Sequence, residues 1–249
     1  MFSSQVQGKM KKIEPVLVGD VGGTHSRWAI FHDGLGKVDI FKTADTRSLK
    51  DAARPFAGQY RAAGVAVAGP VQNRKVRLTN ANWRGAESDL DVPVRLVNDL
   101  EAVAMSLPLL DDVDFDWWKG DGESRKRVLC LGIGTGFGGA LYTPTEVIAL
   151  EPGHEELGGD FGRQTVESVV SGLALRRHGD PGLLKAALAV AVDRLLVRWR
   201  PDTLCLVGGV VEHHSELFTE LNPNVRSYGR VTHPCPALLG AARAAIKML

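Results

Sequence analysis

From residue 16 onward, short apolar runs alternate with stretches in which apolar residues recur every three or four positions. The runs at 16–19, 27–31, 64–68, 94–97, 128–131, 140–142 and 204–207 read as compact strands. Helical spacing predicts helices over 99–107, 165–175 and 183–199, the last carrying Leu184, Leu188, Ala191, Leu195 and Val197 at helical intervals. Pro108 stops the first of these, and an Ala-rich helix is predicted over 237–249. Strands interleaved with helices predict an α/β fold. The segment 109–127 (LLDDVDFDWWKGDGESRKR) is charged and rich in turn residues, which predicts a surface loop near a domain junction.

The pattern also repeats. VLVGDVGGTHSRWAI begins at Val16 and VLCLGIGTGFGGALY at Val128, 112 residues later, and the two align without a gap. Each reads as strand, glycine-rich turn, strand, which predicts a duplicated unit. A length of 249 residues fits one large domain or two modest ones, and the repeat favours two.

Composition changes the picture at one point. Glycine contributes 28 of 249 residues, well above the usual share of about 7%. These glycines punctuate apolar runs, so they mark tight turns rather than low complexity. A net charge of +1 gives no field that would draw nucleic acid or a membrane surface, and neither is expected as a partner. The apolar stretches fall far short of the ~20 residues of a membrane span. The polar segment 1–14 lacks the apolar core of a secretory signal and is expected to fray, which makes the cytoplasm the expected location. Three scattered cysteines build neither a disulfide framework nor a four-ligand zinc site, and Cys130 and Cys205 are expected to be buried thiols.

Candidate chemistry sits at the glycines. In GDVGGT (19–24), Gly22 and Gly23 allow backbone N–H groups to approach a ligand closely, as phosphate-binding nests require, and Thr24 adds a hydroxyl. Asp20, a carboxylate ending an apolar strand, suits Mg²⁺ directly or through water. A plain hairpin with Asp20 bonded to its own turn is the equal alternative. GIGTGFGG (132–139) is a second such turn, followed by strand residues where a dinucleotide-binding motif needs a helix. Two equivalent turns can clamp one polyphosphate, which favours phosphate binding over two plain hairpins. LVGGVV (206–211) is either a simple strand-to-helix turn or a flat surface for a nucleotide base. In VNDLEAVA (97–104), Asp99 is either a helix N-cap or a general base at a strand's carboxyl end. Glu151 and His154 in EPGHEELGGDFG (151–162) are solvated loop residues or hydrogen-bonding partners of a polyol.

Taken together, GDVGGTHSR, VAVAGPV, VRLTNANW, VNDLEAVA, LGIGTGFGGA, EPGH, VESVVSG and LVGGVV resemble, in their order, the motifs of bacterial glucokinases. The resemblance runs over nearly the whole chain from Val16. It implies the two-domain ribonuclease-H-like (actin-like ATPase) fold with an interdomain cleft. It divides the chain into a small domain, 1–104 plus 235–249, and a large domain, 105–234. It further implies transfer of the ATP γ-phosphoryl to the 6-hydroxyl of glucose or a related hexose, with Mg²⁺.

Carried onto this sequence, the resemblance makes Asp99 the base that accepts the sugar proton. Asn80, Asn98, Glu151, His154 and Glu167 become sugar-binding residues; unaided, the pattern would read Glu167 only as an exposed helical position. Asp20, Gly22, Gly23 and Thr24 become the first phosphate loop, Gly134, Thr135 and Gly136 the second, and Gly208 and Gly209 the adenosine contacts. The chain departs from the family in being shorter between Gly172 and Gly208, where relatives have helices that help form the adenine pocket and often a homodimer contact, and Leu173–Ala174 replace a Gly-Pro. Two other readings on the same fold compete. A non-catalytic sugar sensor or regulatory protein would have no need of Asp20, Asp99 and both glycine turns, and an ATPase acting on protein conformation would have no need of the sugar-type segments. A kinase for another hexose or an amino sugar shares every feature named.

Overall fold

The structure is a computed structural model, described for residues 14–78, 81–123 and 125–249. The expected frayed segment and Asn80 lie outside the described residues. Contacts divide the chain into two compact units, one of residues up to Leu96 with Ala241–Leu249, the other Val97–Gly240.

The first unit is built on β1 (Val16–Val21), β2 (His25–Phe31), β3 (Asp39–Lys42), α1 (Leu49–Ala53), β4 (Ala62–Val67), the small ladder of β5 (Lys75–Arg77) and β6 (Arg84–Ala86), and β7 (Val94–Asn98). The main sheet runs β3-β2-β1-β4-β7. β1 pairs antiparallel with β2 and parallel with β4. Strands covered on both faces read as continuous apolar runs, and β4 is buried at every position. Trp28, Trp83, Leu17 and Leu49 are the largest fully buried side chains in this core.

The second unit holds α2 (Asp99–Ser106), β8 (Phe115–Lys119), β9 (Val128–Ile133), β10 (Phe137–Tyr142), β11 (Val147–Leu150), α3 (Val166–Val169), α4 (Gly172–His178), α5 (Pro181–Trp199), β12 (Thr203–Val207), α6 (Gly209–His213), α7 (Glu216–Thr219), β13 (Ser227–Val231) and the start of α8 (Pro236–Ile246), whose residues from Ala241 on belong to the first unit. Its sheet runs β11-β10-β9-β12-β13-β8. The order β3-β2-β1-β4-β7 recurs here as β11-β10-β9-β12-β13, and α8 follows β13 as α2 follows β7. The repeat seen in sequence therefore covers whole sheets. The pairing differs by one residue, because β1 and β2 are joined after Val21↔Ser26 and β9 and β10 after Ile133↔Phe137.

Several expectations change. The division falls at 96/97 and 240/241 rather than 104/105 and 234/235, because α2 packs on β9 and β10. The segment 109–127 contains β8, an antiparallel edge strand on β13, with Phe115 buried. The single helix expected over 165–175 is two, since Ser171 starts a new one by accepting the N–H of Ala174 at 3.1 Å. α5 begins at Pro181 rather than at the predicted 183, because Asp180 caps it and Pro181 suits the first turn, and it ends at Trp199 as predicted. It buries Leu184, Leu188, Ala191 and Leu195, but Val197 is 77% exposed. Cys130 and Cys205 are fully buried.

Candidate active site

The end of β7 becomes a helix through its own side chains. Asn98 Oδ1 accepts the N–H groups of Leu100 (2.9 Å) and Glu101 (3.3 Å), and Glu101 Oε2 accepts the N–H of Asn98 at 3.3 Å. This capping box makes Asn98 the cap and Asp99 the first helical residue. Asp99 Oδ1 accepts the N–H of Leu100 at 2.9 Å.

Leu100 then fixes the helix. A Cβ on Gly132 or Gly138 would stand 2.5 or 2.7 Å from a methyl of Leu100. Those glycines leave the slot on the β9–β10 hairpin into which Leu100 fits, so the first turn of α2, Asp99 included, is seated there.

The same hairpin gathers two further segments. Glu167 Oε2 accepts the N–H of Phe137 at 3.0 Å, and a Cβ on Gly136 would lie 2.4 Å from that oxygen. Thr165 caps the short helix that carries Glu167 by accepting from Ser168. The EPGH turn packs from the other direction: a Cβ on Gly153 would meet the Phe137 carbonyl at 2.2 Å and Glu167 Cβ at 3.3 Å. Pro152 and Gly153 are buried while Glu151 and His154 are exposed. Glu167 and the backbone of the turn that carries Glu151 and His154 thus meet at Gly136 and Phe137, with Asp99's helix docked on the same hairpin. Glu167 also anchors the turn itself, a role its sequence position did not announce.

The turn continues into a cavity of roughly 390 Å³. Gly134, Thr135 and Gly172 line it from one side, Gly209, Val210, His213 and His214 from the other, and Leu175 and Arg176 come from α4. The N–H of Gly134 bonds to the Gly136 carbonyl (3.0 Å), and the N–H of Gly172 to the Gly134 carbonyl (2.7 Å). Gly134 and Gly209 have open space where a Cβ would stand. Gly208 has φ 104° and faces the Ile133 carbonyl, 2.7 Å from where its Cβ would be, so glycine is required there to turn β12 into α6. Of the residues assigned to nucleotide by resemblance, Gly134, Thr135 and Gly209 line the cavity, whereas Gly136 faces Glu167 and Gly208 faces the strand. Arg176 and His213 escaped the sequence reading, although each stands four positions, one helical turn, after a glycine of the cavity wall, Gly172 and Gly209.

In the first unit, Asp20 pairs with Arg27, its register partner on β2, at 3.1 Å rather than with its own turn. Burial raises its pKa, and the Arg27 guanidinium offsets this in part. The turn is tied down from β3 onward: Thr43 Oγ1 donates to the Gly22 carbonyl at 2.7 Å, and its N–H to the Thr24 carbonyl at 2.9 Å. Gly23 and Thr24 are exposed. Among the described residues no group of three or more His, Cys, Asp or Glu could hold a metal. A single carboxylate beside an exposed glycine turn has the chemistry to hold Mg²⁺ through water, and Asp20 is the residue that would do so.

A sequence model of the glucokinase family, described as Glucokinase, matches residues 17–175, more than half of the chain. The chain belongs to the glucokinase family. The glucokinase of Tolumonas auensis is 33% identical over 181 residues, covering 66% of this chain and 56% of its own length. That of Sinorhizobium medicae is 31% identical over 162 residues, 58% of this chain and 48% of its own. The chain thus spans about half the length of the curated relatives it matches. Among solved structures, a glucokinase from an Antarctic psychrotroph superposes with a TM-score of 0.73 at 22% identity, over 93% of this chain and 98% of that one. A ROK-family glucokinase from Streptomyces griseus, in complex with glucose and AMPPNP, gives 0.62 at 17% identity, over 94% and 99%. These likenesses carry the fold, which is the actin-like ATPase fold of sugar kinases.

This glucokinase-family match includes Asp20, Asp99, Glu151, His154 and Glu167, and stops before Gly208 and Gly209. The wall of the cavity formed by Gly209, Val210, His213 and His214 therefore lies outside the matched sequence. No helix among the described residues is long and apolar enough to cross a membrane.

Proposed function

We propose that this glucokinase-family chain is an ATP-dependent hexose kinase that phosphorylates the 6-hydroxyl, with glucose the first acceptor to try. The observation that carries this is the β9–β10 hairpin, which seats Asp99's helix through Leu100 and packs at its turn against Glu167 and the EPGH segment of Glu151 and His154. An exposed imidazole and two carboxylates beside a backbone turn match the many hydroxyls of a sugar.

In this reading the sugar's 6-oxygen forms a bond to the γ-phosphorus of ATP, the bond from that phosphorus to the bridging oxygen breaks, and ADP leaves with the electron pair. Asp99 takes the hydroxyl proton. Glu151, His154, Glu167 and the Asn98 amide orient the ring. Gly134, Thr135 and the glycines of the first turn hold phosphate oxygens, and Gly209 offers the adenosine a wall without a side chain. Asp20 would hold Mg²⁺, which supplies charge neutralisation of the phosphates. Phosphoryl transfer needs mainly such positioning and neutralisation. The setting that suits this chemistry is the cytoplasm, where the product would feed sugar metabolism.

The test is Asp99→Asn, which keeps shape and removes the base. Turnover with Mg·ATP and glucose should fall by roughly 10²- to 10⁴-fold while the circular dichroism spectrum and thermal midpoint stay near those of the unaltered chain. Near-normal turnover in this variant removes Asp99 from the role. A panel of hexoses that bind without releasing ADP would make the protein a sugar sensor instead.

A further inference from the structure

The cavity beside the second glycine turn carries a charge that the kinase reading has not used. We propose that Arg176 binds a non-transferred phosphate of the phosphoryl donor and thereby helps set which donor is accepted, an inference that rests on the reading above.

Arg176 lines the cavity, and the lining residues include no carboxylate. Among the described residues the Arg176 side chain makes no hydrogen bond or ion pair, whereas those of Arg27, Arg198 and Arg230 are each matched to a carboxylate. Its guanidinium lies at the wall formed by Gly172, with Nη1 3.6 Å from where a Cβ on that glycine would stand. The Gly172 N–H in turn bonds the Gly134 carbonyl at 2.7 Å, so guanidinium and glycine turn share one stretch of backbone. A planar fork of donors facing a cavity with no anion of its own is suited to a phosphate.

Basic residues in the last turn of a helix also complement its dipole, and α4 ends with Arg176, Arg177 and His178. That accounts for their sign. It does not account for Arg176 being the one of the three that lines the cavity. The acceptor residues Glu151, His154 and Glu167 do not line it, so the phosphate met by Arg176 is not the one being transferred. The ligand chemistry is a chain of phosphates, carried either by a nucleotide or by inorganic polyphosphate.

The full chain and its variants Arg176→Ala, Arg176→Lys and Arg177→Ala are titrated calorimetrically with ADP, adenosine and inorganic tripolyphosphate, and KM is measured for ATP and for glucose. Arg176→Ala should weaken ADP and raise the ATP KM roughly 10- to 100-fold, the value of a charge-assisted hydrogen bond, with adenosine affinity and glucose KM within about twofold. Arg176→Lys should recover part of the loss and Arg177→Ala should show none. Unchanged ADP affinity in Arg176→Ala, or equal weakening of ADP and adenosine, overturns the proposal. So does a chain that binds neither ADP nor tripolyphosphate. Tripolyphosphate that binds as well as ADP and depends equally on Arg176 supports the site with polyphosphate as its source; a dependence seen with ADP alone supports it with a nucleotide. If ADP binding depends on Arg176 while no hexose elicits ADP release, the kinase reading fails and the phosphate site stands.

Discussion

Asp20 shows what a single residue can cost. Burial outweighs Arg27, so the folded chain holds the Asp20 proton more tightly than the unfolded chain does. A raised folded pKa contributes stability that is present below the ordinary carboxylate pKa and lost as pH rises through the folded value. At neutral pH the ionised side chain is therefore a net burden on folding, which is what a residue kept for its charge should look like. Asp20→Asn should leave the thermal midpoint at pH 7 equal or higher, with the advantage shrinking as the pH falls toward about 4, while Mg·ATP-dependent turnover drops. A lower midpoint at pH 7 would show that the Arg27 pairing outweighs burial. The cysteines make a second prediction at this scale. Burial pushes the Cys205 thiol up to about 12 and that of Cys130 well above its usual value, so a thiol reagent at mildly alkaline pH should modify only the half-buried Cys235 in the native chain, as mass spectrometry would read. Their burial was legible in the apolar runs around them. The capping of α2 was legible only in part: the sequence offered Asp99 as the cap, and the backbone geometry gives that place to Asn98 one residue earlier.

At the scale of elements, the hairpin of β9 and β10 is both a support and a turn. Gly132 and Gly138 serve Leu100 rather than a ligand, a division that sequence could not make because a glycine beside a phosphate and one beneath a leucine look alike. Gly138→Ala should therefore displace the first turn of α2, costing about 1–3 kcal/mol of stability and reducing kcat through Asp99. Adding Leu100→Ala should return part of both, a coupling read by a double-mutant cycle in denaturant unfolding and turnover. Additive effects would mean that Leu100 is not what the glycine accommodates. Other elements were hidden for local reasons. β8 is an edge strand whose Asp116 and Lys119 mask its apolar Phe115, so its charge reads as loop. The split between α3 and α4 was hidden because Val166, Val169 and Val170 keep helical spacing up to the point where Ser171 starts the next helix.

At the scale of the molecule, the duplicated strand order was announced by two motifs 112 residues apart, while the unit boundary was not, since it depends on the face to which α2 packs. The described sugar-binding candidates all belong to the second unit. Glucose alone should therefore slow amide exchange chiefly around 98–106, 134–137, 151–155 and 165–169, and protection spread evenly over 16–67 would speak against this assignment. The repeat has one more consequence. β7 runs straight into α2 with Asn98 and Asp99 at the junction. Its counterpart β13 is followed by Thr232, His233, Pro234, Cys235 and Pro236 before α8, a connection without a carboxylate. Of the two matching junctions only the one after β7 carries a carboxylate, so the general base proposed at Asp99 has no understudy in the other copy.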